Sequence, residues 1–241
     1  MVIKHQHYRK VQSTQDTARD LIDQSEQTPF LVTAEEQTNG RGRHGRQWIS
    51  PRGNFFGSLV IRAAVVPLRY GEYSFLVAVV LHETIVKFSD RNVRLKWPND
   101  VLLDGHKCAG ILIESHGAQN EFLIIGIGVN LYHAPPEEEV GQPAAVLWPD
   151  QKPEGENQKL EEFRKQLITS FAQWHDVYCV QGFENVRTAW LKHTHNLGGQ
   201  ITAQTPQGPQ SGIFAGIDAQ GNLLLTQGKE TIKVTTADVL I

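Results

Sequence analysis

Cysteine is scarce: the 241 residues hold two, Cys108 and Cys179. They lie far apart and form no C-x-x-C spacing, which excludes a disulfide framework and the usual zinc sites. A basic excess is also missing. Lys and Arg number 23 against 26 Asp and Glu, a net charge of −3, whereas a dedicated nucleic-acid binder carries surplus cations. No apolar run is long enough to span a bilayer. The polar, basic N-terminal segment lacks the apolar stretch of a secretory signal. Internal repeats are absent. The expected location is the cytoplasm of a cell that keeps thiols reduced, with no membrane partner expected.

What is present suffices for a folded core and a small extra domain: 40% of residues are apolar and 20% charged. Ser13-Thr14-Gln15-Asp16 ahead of Ala18, Leu21 and Ile22 reads as a capped helix with an acidic first turn. Residues 30–34 form a compact apolar run, expected as a buried strand. Residues 37–53 read as a long loop with four glycines, and residues 55–64 as a second strand. From Tyr73 to Phe88, apolar residues recur at the three–four spacing of a helix with one buried face. Short strands at 93–96 and 101–103 flank Trp97-Pro98-Asn99-Asp100. Asp104-Gly105 is a hairpin turn, and residues 107–114 and 122–129 add two strands. Residues 133–157, rich in Pro, Glu and Gly, read as a long surface loop. An amphipathic helix carries Leu160, Phe163, Leu167, Phe171, Trp174 and Tyr178, and a shorter one covers 183–192.

After Gly198 come short β-type runs at 200–203, 212–217, 223–226 and 231–234, the pattern of a small β-barrel. The expected fold class is therefore α+β: a mixed, mainly antiparallel sheet with helices on one face, then a C-terminal β domain. The boundary falls near His195, giving units 1–194 and 195–241.

Positive charge is unevenly spread. Residues 40–46 read Gly-Arg-Gly-Arg-His-Gly-Arg, with three arginines and a histidine in seven positions. The glycine spacing matches the dinucleotide fingerprint, which needs a helix directly after it. Pro51 and Gly53 stand where that helix should run, so the match is rejected. A P-loop fails because no Gly-Lys-Ser/Thr closes the motif. What remains is physical: glycines let backbone N–H groups approach an anion, and Arg41, Arg43 and Arg46 can fork onto phosphate or carboxylate oxygens. Trp48 and Phe55 offer apolar cover. Further on, Lys96-Trp97-Pro98-Asn99-Asp100 sets a cation, an amide and a carboxylate around a rigid proline. The Asp104-Gly105 turn could fold Lys107 back toward them. Glycines in residues 110–114 and 126–130 permit close ligand approach.

Taken in order, these segments resemble the biotin–protein ligases (biotin–[acetyl-CoA-carboxylase] ligases), in the short form without an N-terminal DNA-binding domain. The resemblance rests on Ser13-Thr14, Gln37 with residues 40–46 and Trp48, residues 96–100, Lys107 with 110–114, and residues 126–130. It implies a class II synthetase-like catalytic domain and an SH3-like C-terminal barrel. It also implies a two-step reaction, in which biotin and ATP give biotinyl-5′-AMP and the biotinyl group passes to a lysine of a biotin carboxyl carrier domain. By resemblance Ser13, Thr14, Gln15, Gln37, Arg41, Gly42, Arg43, Lys107 and Gly110 bind biotin. Arg43, Arg46, Trp48, Lys96, Asn99, Asp100 and Asn130 bind ATP. Lys107, Arg43 and Asp100 carry the chemistry, and Asp100 is also the candidate Mg2+ ligand.

The chemistry agrees with the residues. The carboxylate nucleophile is already an anion, so the first step needs cations to neutralise two negative reactants and hold them in line, not a base. Two departures stand out. The usual Ser-Thr-Asn appears as Ser13-Thr14-Gln15, which leaves the role of Gln15 open. Family members with an N-terminal helix-turn-helix repress biotin genes, and with the Ser-Thr pair at residue 13 no room for one and no DNA binding are expected. A homodimer is compatible with the resemblance. Two alternatives remain: a lipoate- or octanoyl-protein ligase of the same fold, and a non-enzymatic RNA-binding protein.

Overall fold

The computed structural model describes residues 1–62, 70–149 and 156–240. In chain order its elements are β1 (Lys4–Tyr8), α1 (Thr14–Asp23), β2 (Phe30–Ala34), β3 (Phe55–Arg62), α2 (Tyr70–Ile85), β4 (Val93–Lys96), β5 (Asp100–Leu103), β6 (His106–His116) and β7 (Phe122–Val129). Then follow α3 (Glu137–Val140), α4 (Glu156–Gln181), α5 (Phe183–His193), β8 (Gln200–Thr205), β9 (Gly208–Ile217), β10 (Leu223–Gln227), β11 (Glu230–Val234) and β12 (Asp238–Leu240).

Seven strands make one sheet in the order β1-β2-β3-β7-β6-β5-β4. Only the β1–β2 pair is parallel. The expected α+β class with a mainly antiparallel sheet is what the chain forms. Alternate residues sort onto two faces, as strand pleating requires. Leu31, Leu59, Ile61, Ile125 and Ile127 join α2, α4 and α5 in the main core. Phe30, Val32, Val60 and Ile124 pack beneath Ala18 and Ile22 of α1. The helices are thus not all on one face, because α1 covers the other. With both faces covered, all five residues of β2 are buried.

Several local signals act as read. Ser13 caps α1 by accepting from the Gln15 backbone N–H. Asp104 and Gly105 both take positive φ, 51° and 85°, which closes the β5–β6 hairpin. The helix expected to bury one face is buried almost all round, from Glu72 to His82, because α4 and α5 pack on its outer side.

Other parts were not legible. β1 is polar and pairs on one side only, so no apolar alternation announces it. The stretch read as a surface loop carries α3 and a buried segment. Leu147 and Trp148 are only 3% exposed. Their backbone N–H groups, with that of Ala145, bond to the carbonyls of Asn130, Leu131 and Lys107. Residues 63–64 of the expected strand and 150–155 of the expected loop lie outside the described residues.

The C-terminal strands form an antiparallel sheet in the order β11-β10-β9-β8-β12. Its strands run longer than the apolar runs suggested, and β12 was unforeseen. Among the described residues no ladder is recorded between β11 and β12. No helix among the described residues is long and apolar enough to cross a membrane.

Candidate active site

The sheet face that α1 covers continues past the helix. There its residues shrink: Ser58 on β3 stands beside Gly126 on β7, and Gly128 stands beside Gly110 on β6. A cavity of about 700 Å³ lies against this part of the face, bounded by the α1 N-terminus, the glycine-arginine loop and residues 96–100. The glycines are a floor for two side chains. A Cβ on Gly128 would sit 2.5 Å from the Trp48 ring, and one on Gly110 3.0 Å from it. A Cβ on Gly126 would come within 3.1 Å of the Gln15 amide. Larger residues on these strands would lift both side chains off the sheet.

One end of the cavity is neutral and hydrogen-bonding. Gln37 Oε1 accepts from the Thr14 backbone N–H at 2.8 Å and from its hydroxyl at 3.1 Å. Gln37 Nε2 donates to Ser50 at 2.9 Å, and Ser58 donates to the Thr14 hydroxyl at 2.8 Å. Gln15 is different. Its residue is 4% exposed, and both its amide oxygen and its amide nitrogen are buried without a protein partner. A side chain in that position offers a donor and an acceptor to whatever enters.

The other end is cationic. The β5–β6 hairpin does fold Lys107 back: its Nζ lies 2.7 Å from Asp100 Oδ1 and 5.6 Å from the Trp48 ring centroid. Arg43 donates to Asn99 Oδ1 at 3.2 Å. Asn99 is itself held by Ile111, donating to its carbonyl at 2.8 Å. Asp238 of β12 reaches across from the C-terminal sheet and accepts from Arg46 at 3.0 Å, with Arg43 at 3.8 Å. Burial pushes the pKa values of Arg43 and Lys96 down even though nearby carboxylates act against it. Two desolvated cations short of counter-charge favour an incoming anion. Five cations and three carboxylates line the cavity as a whole.

The sequence-derived residues Ser13, Thr14, Gln15, Gln37, Arg41, Gly42, Arg43, Arg46, Trp48, Lys96, Asn99, Asp100, Lys107, Gly110 and Asn130 all line this one cavity. Their orientation differs from expectation at one point. Arg41 was read as a fork for a ligand anion, but its guanidinium is engaged by Asp16 at 2.6 and 2.9 Å. Arg46 sits at the rim, with a side chain 57% exposed. Sequence reasoning missed Gln204, Asp238 and Val239 of the C-terminal sheet, and residues 139–142 of the segment read as loop, which also line the cavity. An isolated Asp on a three-residue strand carries no local pattern that could have flagged it.

Comparison with known proteins bears on this arrangement. Residues 8–130 match the model of the biotin/lipoate A/B protein ligase family, and residues 197–241 that of the biotin protein ligase C terminal domain. A biotin–[acetyl-CoA-carboxylase] ligase of Paracoccus denitrificans is 41% identical over 198 residues, 80% of this chain and 82% of that protein. The bifunctional ligase/repressor BirA of Bacillus subtilis is 31% identical over 232 residues, 94% of this chain and 70% of that one. Among solved structures, a biotin protein ligase from Aquifex aeolicus in complex with biotin and ATP superposes with a TM-score of 0.84. It is 21% identical, with 98% of each chain covered, and shows a shared fold.

Proposed function

The chain belongs to the biotin/lipoate A/B protein ligase family, and from that premise we infer that it is an ATP-dependent biotin–protein ligase. It activates biotin as biotinyl-5′-AMP and transfers it to a specific lysine of a biotin carboxyl carrier domain. The site observation that carries this reading is a single cavity with a neutral amide-and-hydroxyl end and a cationic end. That polarity suits a ureido ring joined by an aliphatic tail to a carboxylate.

On this reading Ser13, Thr14, Gln15 and Gln37 take the ureido head, and the tail runs over Gly126 toward Lys107. Gly110 lies beside it in the floor, and Gly42 with the backbone around Arg41 and Arg43 closes over it. Lys107 holds the biotin carboxylate against the α-phosphate. Arg43, Arg46, Lys96 and Asn99 take the phosphates, while Trp48 and Asn130 flank the adenylate. The carboxylate oxygen attacks the α-phosphorus, the bond to the β-phosphate oxygen breaks, and diphosphate leaves. The carrier lysine then attacks the acyl carbon, the acyl–phosphate bond breaks, and AMP leaves. Asp100 is the proposed acceptor of the proton that the amine gives up, exchanging its contact with Lys107 to do so.

Magnesium would be held jointly by the nucleotide and the site. Among the described residues no group of three or more His, Cys, Asp and Glu is placed to hold a metal by itself. One carboxylate plus phosphate oxygens is the donor set magnesium commonly uses. Asp100 would be that carboxylate, and the ion would supply positive charge at the phosphates.

We propose a division near residue 195 into catalytic and C-terminal units, a reading supported by the strands before and after it belonging to two different sheets. A cytoplasmic location is consistent with two unpaired cysteines. The neutral end argues against lipoate, whose dithiolane ring has no donor to offer Gln15, and no observation favours RNA. The test is incubation with ATP, magnesium, biotin and a biotin carboxyl carrier domain, with mass spectrometry expected to find one added biotin. No addition there, with turnover on lipoate, would replace the reading.

A further inference from the structure

We propose that Asp16, Arg19 and Glu114 form a charged cradle that fixes Arg41, and with it the first limb of the glycine-arginine loop, before any ligand arrives. Arg41 meets Asp16 as a fork, Nη1 to Oδ2 at 2.6 Å and Nη2 to Oδ1 at 2.9 Å. Arg19 spans the two carboxylates, 2.7 Å from Asp16 and 2.6 Å from Glu114. Arg41 Nη2 also approaches Glu114 at 3.6 Å. Two cations and two anions therefore alternate, and each carboxylate is touched by both guanidiniums.

Three of the four members stand on elements packed into the sheet. Asp16 and Arg19 are on α1 and Glu114 is on β6, so Arg41 is the one whose backbone belongs to the loop. The side chains are between 24% and 35% exposed. That is less solvent than an isolated surface pair meets, and the fork adds direction to charge. Arg41 holds the Asp16 carboxyl below its ordinary range, and Asp16 raises the Arg41 pKa, so both stay charged.

The physical need is clear from the loop itself. Gly40, Gly42 and Gly45 make residues 40–46 costly to order. A cradle that orders the first limb in the free protein leaves less of that cost for the ligand. It also divides the arginines: Arg41 acts as a strut, while Arg43 and Arg46 face the anion end. Asp16, Arg19 and Glu114 are thus positioning residues for the ligase reaction, an assignment that rests on the function proposed above.

The test begins without ligand. Trypsin cuts after Arg41, Arg43 and Arg46 only when the loop opens, so the cleavage rate of the folded protein reports its opening. Asp16→Asn with Glu114→Gln should speed loop cleavage about tenfold, and about 0.5 M salt should move the wild type in the same direction. Glu114→Gln alone keeps the test alive should the double variant fail to fold. In the ligase assay KM for biotin should rise about five- to tenfold with kcat little changed, and Asp16→Glu should recover part of the loss. Unchanged loop cleavage in folded variants, or a fall in kcat at constant KM, overturns the cradle. Faster cleavage in a protein that does not turn over biotin would leave the cradle standing and refute the proposed function instead.

Discussion

Replacing Gly128 by Ala adds one methyl group at the point where the structure has least room for it. The new Cβ would lie 2.5 Å from Trp48 Cε2 and Nε1. Carbon atoms in comfortable contact stand about 3.5–4.0 Å apart, so the indole must retreat by about 1 Å or more. It cannot do so freely. The Trp48 backbone N–H is bound to the Gly40 carbonyl at 2.9 Å, and its own carbonyl accepts from Ser50 at 2.8 Å. Overpacking of this kind costs about 1–3 kcal/mol. If the cost falls on the position of the indole beside the adenylate, ATP binding should weaken by roughly 5- to 150-fold. The assay is the KM for ATP in biotin-dependent ATP–diphosphate exchange, in wild-type and Trp48→Ala backgrounds. In the second background the obstructing ring is gone, and Gly128→Ala should cost almost nothing, which makes the coupling a direct measure of the contact. Gly110→Ala, whose Cβ would stand 3.0 Å from the far edge of the ring, should show a smaller effect. A wild-type KM for Gly128→Ala, or the same penalty with and without the indole, would refute the reasoning.

Lys107→Ala should lower diphosphate exchange by roughly 10²-fold or more while leaving the fold intact, since it removes the cation assigned to both reacting anions; wild-type exchange would sink that assignment. Arg43→Glu should release biotinyl-adenylate during gel filtration, and a complex that survives the column would count against a phosphate role for the loop. Burial, helped by the His193 ring stacked at 3.8 Å, lowers the His82 pKa from 6.5 to about 4. The unfolded chain then takes up a proton that the folded chain refuses. Stability is full above about pH 6.5 and declines as pH falls toward 4. Thermal melts should lose less between those values in His82→Gln than in the wild type, and parallel losses would contradict the assignment.

Much of the fold was legible because its causes are local. Ser13 announces a helix start, Asp104-Gly105 announces a hairpin, and β2 shows itself as an unbroken apolar run. The three–four spacing around α2 revealed the helix but not its full burial, because α4 and α5 arrive from distant parts of the chain. β1 stayed hidden for the opposite reason: a polar edge strand needs no apolar alternation.

The candidate site divides along the same line. The residue types were readable as chemistry, since an anion with no need of a base calls for cations, glycines and amides, and those stood together in residues 37–48 and 96–110. Spacing could not say where each side chain points. Arg41 and Arg43 are two residues apart, yet one is held by Asp16 and Glu114 while the other reaches Asn99. That choice was made by α1 crossing over the sheet and by the C-terminal end of β6, partners 25 and 73 positions away along the chain. Asp238 meets Arg46 across 192 positions. The amino-acid order thus settled which chemistry is available, because composition and short-range pattern are carried residue by residue. Only the packed molecule decided which cations remain open to a ligand, because a counter-charge is chosen by distance in space, and distance in space is set by the whole fold.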